Sequence, residues 1–233
     1  MTAPTDTNEA TRIPLNRGRV LTAAVDLADR EGIDALTMRR LGQELGVEAM
    51  SLYNHITNKE DLLDGVVEML VMEINDRATD VPPVSGADDW KRAMRDRILI
   101  ARTVLVSHPW APRVIESRTE MTPTLIGYFD ALLGLMVHGG FSYDLAHHAM
   151  HALGSRALGF TQELFVPDDN GSSSTMTSEA IQQMAVAFPN IAGMLQVIVH
   201  DPGEDSLGWC DDQTEFIFGL DLLLNGLDTL RKE

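Results

Sequence analysis

Between Glu48 and His55 the sequence carries a run of side chains suited to reading another molecule. Glu48, Ala49, Met50, Ser51, Tyr53, Asn54 and His55 offer small, apolar, aromatic and hydrogen-bonding groups on the outward side of one short segment. Each base pair shows its own donor, acceptor and methyl pattern in the major groove of B-DNA, and direct readout needs a mixed surface of this kind. A second group with chemical potential is His147, His148 and His151, whose spacing of three and four puts imidazoles on a shared helix face. Two imidazoles do not complete a metal centre, and no carboxylate at suitable spacing supplies the missing ligands, so no metal and no cofactor are expected. The chain has no nucleophile motif, which argues against an enzyme.

The groove-reading segment must be held by what surrounds it. Thr37 can cap a helix by accepting from one of its free amides. Met38, Leu41 and Leu45 then fall on one side of that helix. Gly46 stands where the helix must end in a left-handed residue, and Val47 fills the corner behind it. Leu52 and Ile56 repeat the four-residue spacing and turn the second helix's apolar side inward. Upstream, Asn16 caps a helix with apolar positions Val20, Leu21, Ala24, Val25, Leu27 and Ala28, ended by Gly32. Downstream, Asn58 and Asp61 form a variant capping box that opens a long helix through Leu62, Leu63, Val66, Val67, Leu70 and Ile74. Lys59 lies in the first turn of that helix, where free amides and the dipole already favour a phosphate. This is the pattern of a helix-turn-helix.

The stretches AAVDLADREGIDALTMRRLGQELGV and SLYNHITNKEDLLDGV resemble the DNA-binding domain of the tetracycline-repressor (TetR) family of bacterial regulators. The segments LVSHPWAPRVIESR, HGGFSYDLAHHAMHALGSRALGF and FIFGLDLLLNGLDTL resemble, in order and spacing, the effector-binding and dimer-forming part of the tetracycline-repressor branch. The resemblance implies an all-α protein: a disordered arm over 1–15, a helix-turn-helix domain over 16–64 and an effector-binding and dimerisation domain over 65–233. It implies a dimeric, ligand-responsive regulator, most naturally a repressor, on a palindromic double-stranded operator. A regulator without an effector would share these features. Tyr53 and Ser51 are expected to meet bases, Ala49 and Met50 to make apolar base contacts, and Arg39 to reach a base edge. Thr37, His55 and Lys59 are expected to hold phosphates. The branch recognises a magnesium–drug chelate through a histidine in the segment matching RVIESR. Ile115 falls at that histidine's place, and Ser155 or Arg156 at that of a second polar pocket residue, so the effector expected here is a larger, more apolar or anionic small molecule.

Charge and composition fit this reading. The net charge of −17 is unevenly distributed: residues 1–64 carry 7 basic and 11 acidic side chains, and the remainder 11 and 24. Arg12, Arg17, Arg19, Arg39, Arg40 and Lys59 lie near the proposed groove-facing edge, and local rather than total charge governs phosphate contact. The single cysteine, Cys210, excludes an intrachain disulfide and suits a reducing cytosol. No apolar run reaches the length of a membrane span, and the first sixteen residues lack a signal peptide's apolar core. A cytoplasmic location and no membrane partner are therefore expected.

Beyond residue 81 the chain reads as helices over about 88–107, 110–117, 123–139, 142–165, 179–188, 190–200 and 213–230, with loops at 81–89 and 166–178. The last helix is apolar around nearly its whole circumference except for Asp221, Asn225 and Asp228, which calls for cover on two sides. Phe216, Leu220, Leu223 and Leu227 from it, with Ala149 and Ala152 from the small-residue side of the 142–165 helix, are the expected dimer interface. Candidate effector contacts are Arg102, Trp110, Ile115, Arg118, Met121, His147, Met150, His151, Ser155 and Phe188. Phe129, Phe160, Met184 and Trp209 are further apolar candidates. Arg97, Arg102, Arg113, Glu116, Arg118 and Arg156 are charged residues on semi-apolar helices; they either pair with one another or grip a polar ligand.

Overall fold

The computed structural model describes residues 14–82, 84–159, 185–198 and 212–232. The arm up to residue 13, the 166–178 loop, Phe160, Met184, Trp209 and Cys210 lie outside these residues. Among the described residues the elements are all helical. In chain order they are α1 (Arg17–Glu31), α2 (Met38–Leu45), α3 (Ala49–Leu52), α4 (Lys59–Arg77), α5 (Trp90–Ser107), α6 (Ala111–Glu116), α7 (Pro123–His138), α8 (Tyr143–Gly159), α9 (Pro189–Ile198) and α10 (Asp212–Leu230). Three short 3-10 turns, Ile33–Ala35, Ala78–Asp80 and Ala87–Asp89, join some of them. None of the described helices is long and apolar enough to cross a membrane.

The chain divides into two compact units, one of residues 1–83 with 96–134, the other of 84–95 with 135–233. In the first, α1 packs on α2 and α4, and α2 on α3. Their shared core holds Val20, Leu21, Ala24, Leu27, Leu36, Leu41, Leu52, Ile56, Leu62, Val66 and Leu70, all buried. Helix α4 runs unbroken past residue 64, because its apolar positions continue through Val71 and Ile74, also buried.

In the second unit, α10 divides its circumference three ways. Phe216, Leu220, Leu224 and Leu227, spaced four, four and three, are buried on the side that meets α8. The stripe of Asp221, Asn225 and Asp228 takes up the start of α5 while staying partly open to water. Arg95 Nε donates to Asp221 at 2.7 Å, Lys91 Nζ to Asn225 at 3.0 Å and Trp90 Nε1 to Asp228 at 3.2 Å. Trp90 is wholly buried and meets Phe141 edge-on at 4.5 Å. Arg231 closes the corner, donating to Asp228 at 2.7 Å, to the Gly139 carbonyl at 2.6 Å and to Asp88 at 3.0 Å.

The third side of α10 is open, with Phe218 62% and Leu222 58% exposed and Leu230 also exposed. The residues expected at the dimer interface differ in how far their own chain covers them. Phe216, Leu220 and Leu227, together with Ala149 of α8, are covered by their own chain, because the helical period carries them onto the α8–α10 contact. Leu223 and Ala152 are half-buried, and the large apolar groups facing outward are Phe218 and Leu222.

Asp228 is expected to make the α5–α10 junction sensitive to pH. Hydrogen bonds from Lys232 and then Arg231 hold its carboxyl well below the usual carboxylate range. A carboxylate with a depressed folded pKa adds stability above its unfolded pKa and loses it as pH falls toward the folded value. Urea unfolding across a pH series should show Asp228→Asn losing about 1–2 kcal/mol at neutral pH. The wild-type advantage should shrink below about pH 4; a difference independent of pH would mean that the carboxylate's charge contributes nothing.

Candidate nucleic-acid interface

The reading segment is set by a tight corner. Thr37 Oγ1 accepts the Arg40 amide at 3.1 Å to start α2, and Gly46 ends it in the left-handed region at φ 65°. The Val47 amide returns to the Gly42 carbonyl at 2.9 Å and the Gly46 amide to Gln43 at 3.2 Å, satisfying carbonyls the helix end would leave open. Gly42 is needed where the two helices touch: a Cβ there would lie 2.9 Å from the Val47 carbonyl oxygen and 3.2 Å from the Ala49 amide. A glycine inside a helix costs about 1 kcal/mol relative to alanine, and this close approach offsets it.

Helix α3 is a single regular turn, continued by turn residues 53–55. Leu52 and Ile56 are wholly buried beneath it, and the Ile56 amide reaches the Leu52 carbonyl at 2.9 Å. The opposite side is open: Met50 is 74% and Tyr53 46% exposed. Asn54 and Glu48 are exposed as well, while Ala49, Ser51 and His55 are half-buried at the edges. Thr37, Arg39 and Lys59 are all exposed, with Lys59 the first residue of α4. The sequence-derived DNA-contact residues thus lie on α2, α3 and the start of α4, around one corner of the first unit.

A clamp holds this corner in place. Arg17 of α1 donates through Nη1 to the His55 carbonyl at 3.1 Å and through Nη2 to Asp61 Oδ1 at 2.7 Å. Asp61 in turn accepts the Thr57 amide at 2.6 Å through Oδ2, while its own amide goes to Asn58 Oδ1 at 2.9 Å. The Arg17 hydrogen bond is the main reason the Asp61 carboxyl is held below the usual carboxylate range. One guanidinium therefore joins the end of the reading segment to the cap of α4. Arg17, placed by sequence near the groove-facing edge, is thus engaged within the chain. Arg40 is likewise engaged, by Glu31 and by Glu44. The clamp had a partial signal in sequence, the Asn58–Asp61 capping box, but nothing local pointed to Arg17.

The candidate effector residues are divided between the two units. In the first unit, Trp110 is buried and its Nε1 donates to Asp29 at 2.7 Å. Arg118 is held by Glu60 at 2.7 Å and Asp64 at 3.2 Å, which ties the chain after α6 to α4. Arg102 is buried, Ile115 half-buried, and Met121, in the stretch between α6 and α7, 52% exposed. In the second unit, His147, His151, Ser155 and Phe188 are exposed and Met150 is half-buried. The His147 and His151 rings approach edge-on with centroids 4.6 Å apart. Among the described residues no group of three or more metal-ligating side chains is arranged around a common point. His108, not singled out from sequence, sits between α1 and α4, with Nδ1 2.7 Å from Asp29 and Nε2 3.5 Å from Glu73.

Comparison with known proteins agrees with this architecture. Residues 20–66 match the model for bacterial regulatory proteins of the tetR family, and residues 82–231 that for the tetracyclin repressor-like C-terminal domain. The chain is 27% identical over 218 residues to the HTH-type transcriptional repressor DrrR1 of Streptomyces coeruleorubidus, covering 93% of this chain and 78% of that one. It is 28% identical over 214 residues to the class D tetracycline repressor protein of Escherichia coli, covering 92% and 89%. Among solved structures, the TetR family protein ActR of Streptomyces coelicolor in complex with actinorhodin superposes with a TM-score of 0.69 at 25% identity, covering 95% of this chain and 100% of that one.

The clamp gives a test that separates positioning from phosphate contact. Arg17→Met should weaken binding to duplex DNA from the region flanking the protein's own gene by about tenfold, the effect of about 1.4 kcal/mol. The slope of log affinity against log salt should stay as in wild type, since each lost phosphate contact would make it shallower by about 0.9. Fluorescence anisotropy at several salt concentrations measures both.

Proposed function

The chain belongs to the tetR family of bacterial regulatory proteins, DNA-binding regulators of transcription, and on that premise we propose that it is a homodimeric repressor released from a palindromic operator by a small molecule. The observation that carries the reading is the exposed Met50–Tyr53 surface, backed by buried Leu52 and Ile56 and held by Arg17 against the cap of α4. Met50 and Ala49 offer apolar contact to thymine methyls, and Ser51 and Tyr53 offer hydroxyls to base edges. Arg39 reaches a base edge from α2. Thr37, His55 and Lys59 take phosphates on either side, Lys59 with the help of the amides that open α4.

Two copies are brought together through the open side of α10. Phe218 and Leu222 are too exposed to stabilise the single chain, and Leu223 and Ala152 extend the same surface. A twofold pairing sets two reading heads on one face of the duplex, about one or more helical turns apart. Release follows when a small molecule binds one of two pre-existing conformations more tightly, so that the heads lose register with successive grooves. The complex of the related ActR with actinorhodin supports a small-molecule effector. Ile115 is half-buried and carries no atom able to hold a metal chelate, which supports an effector other than magnesium–tetracycline.

On the flanking DNA, Tyr53→Ala should cost about 1–3 kcal/mol at the specific site and leave binding to unrelated duplex unchanged. Lys59→Ala should weaken both to a similar degree and make the salt slope shallower by about 1. Because Arg17 and Arg40 are spent within the chain, the wild-type slope should itself stay shallower than about −6. Equal loss on specific and unrelated DNA for Tyr53→Ala would remove it from base readout.

Sedimentation tests the pairing. The double substitution Phe218→Glu and Leu222→Glu should convert a dimer into a folded monomer and reduce operator affinity more than about tenfold. A variant that remains dimeric would place the interface elsewhere.

A further inference from the structure

Three of the chain's seven histidines crowd into residues 147–151 of α8, in the second unit. The opposite side of that helix fixes it in place: Ala146, Ala149 and Leu153 are buried, and α8 packs on α10. The packing leaves Asp144, His147, His148, His151 and Ser155 exposed as a stripe along one helix face. His147 and His151 stand one turn apart. Their rings meet edge-on at 80° with centroids 4.6 Å apart. The His148 ring is farther from that of His147, at 5.6 Å, and its Nε2 lies 4.0 Å from an Asp144 oxygen. Among the described residues neither His147 nor His151 has a hydrogen bond or an ion pair. Buried His108 differs, since both of its ring nitrogens face carboxylates.

Exposed imidazoles with no other partner keep their nitrogens free for a metal ion, and imidazole suits copper, nickel and zinc. Two imidazole nitrogens about 2.0–2.1 Å from one ion put their ring centroids about 4.5–5 Å apart, for angles between square and tetrahedral. The His147–His151 separation already falls in that range. A turn of each ring about its last torsion, which is broad for histidine, brings one nitrogen of each onto a common ion. The expectation of no metal applied to a centre whose ligands all come from the protein. Among the described residues no group of three or more ligating side chains forms one. A surface chelate needs less: two imidazoles hold the ion, and water fills its other positions. The net charge of −17 draws cations toward the chain as a whole.

We propose that His147 and His151 bind a divalent transition-metal ion as a two-imidazole chelate on the open face of α8. The site lies outside the DNA-reading surface and is independent of it.

The test is calorimetric titration of the full-length protein with nickel, copper and magnesium chlorides in a non-chelating buffer. Wild type should take up about one nickel ion per chain with a Kd below about 0.1 mM. Copper should bind more tightly and magnesium not measurably, the order that imidazole ligands impose. His147→Ala and His151→Ala should each weaken nickel binding by about tenfold or more, because the second imidazole binds intramolecularly. Both positions are exposed and alanine favours a helix, so these variants keep their fold, which circular dichroism checks. His148→Ala on the same helix and His138→Ala at the end of α7 should stay within about threefold of wild type. Binding to the flanking DNA without metal should match wild type in all four variants, which separates loss of the metal site from failure of the regulator reading. Absence of nickel binding in wild type, or binding that survives both His147→Ala and His151→Ala, overturns the proposal. An equal loss in His148→Ala would give the ion to another pair and overturn it as well.

Discussion

The geometry of the reading surface depends on a two-pronged contact between Arg17 and its neighbours. One prong of the guanidinium holds the carbonyl at the end of the reading segment, and the other holds Asp61 at the start of α4. Helix α3 is too short to keep its own orientation, since one turn fixes several backbone angles for few hydrogen bonds. Its direction is inherited from α1 through that clamp and from α2 through the Gly42 approach. Leu52 and Ile56 press it inward, but apolar contact is non-directional and leaves rotation to be settled by the polar contacts.

Helix α4 takes up the other end of the same logic. Asp61 fastens its first turn to α1, Glu60 and Asp64 fasten the next residues to Arg118, and Glu73 near its far end faces His108. Asp29 joins in by accepting from Trp110 while contacting His108, so the far part of α1 is held beside the same segment. These attachments run along nineteen residues of continuous helix. A displacement anywhere along α4 therefore reaches the cap that the reading segment shares. The acidic residues used here belong to the excess that makes the chain's total charge look unsuited to DNA.

The sequence showed clearly what short-range chemistry decides. Asn16, Thr37 and Asn58 are caps, and Gly46 is the left-handed stop, because each role is settled within a few residues of the side chain concerned. The clamp was not legible in the same way, since Arg17 and Asp61 lie 44 positions apart and an arginine near a groove looks like a phosphate ligand until its partner is known. The polar stripe of α10 was visible, but its partners on α5 lie more than a hundred residues earlier and were not. The same gap hid that Phe216, Leu220 and Leu227 are buried within the chain. An almost wholly apolar helix does not reveal which side its own chain will cover. Gly42 carried a usable signal, a glycine in the interior of an otherwise good helix. The charged residues on the semi-apolar helices were the least legible, because which of them pair within the chain depends on every other charge in the fold.

The ladder between α5 and α10 has a consequence for which positions of the helix are free to vary. Asp221, Asn225 and Asp228 act as an index that fixes the rotation of α10 about its own axis. A slip of one position would carry carboxylates toward the α8 contact and apolar groups toward Arg95 and Lys91. With the rotation fixed by polar pairs inside the chain, the outward residues at 218 and 222 are relieved of any duty in folding. They can change without disturbing the packing of α10 on α5 and α8. A fold that locks its helix internally in this way can give one face a new surface without being rebuilt.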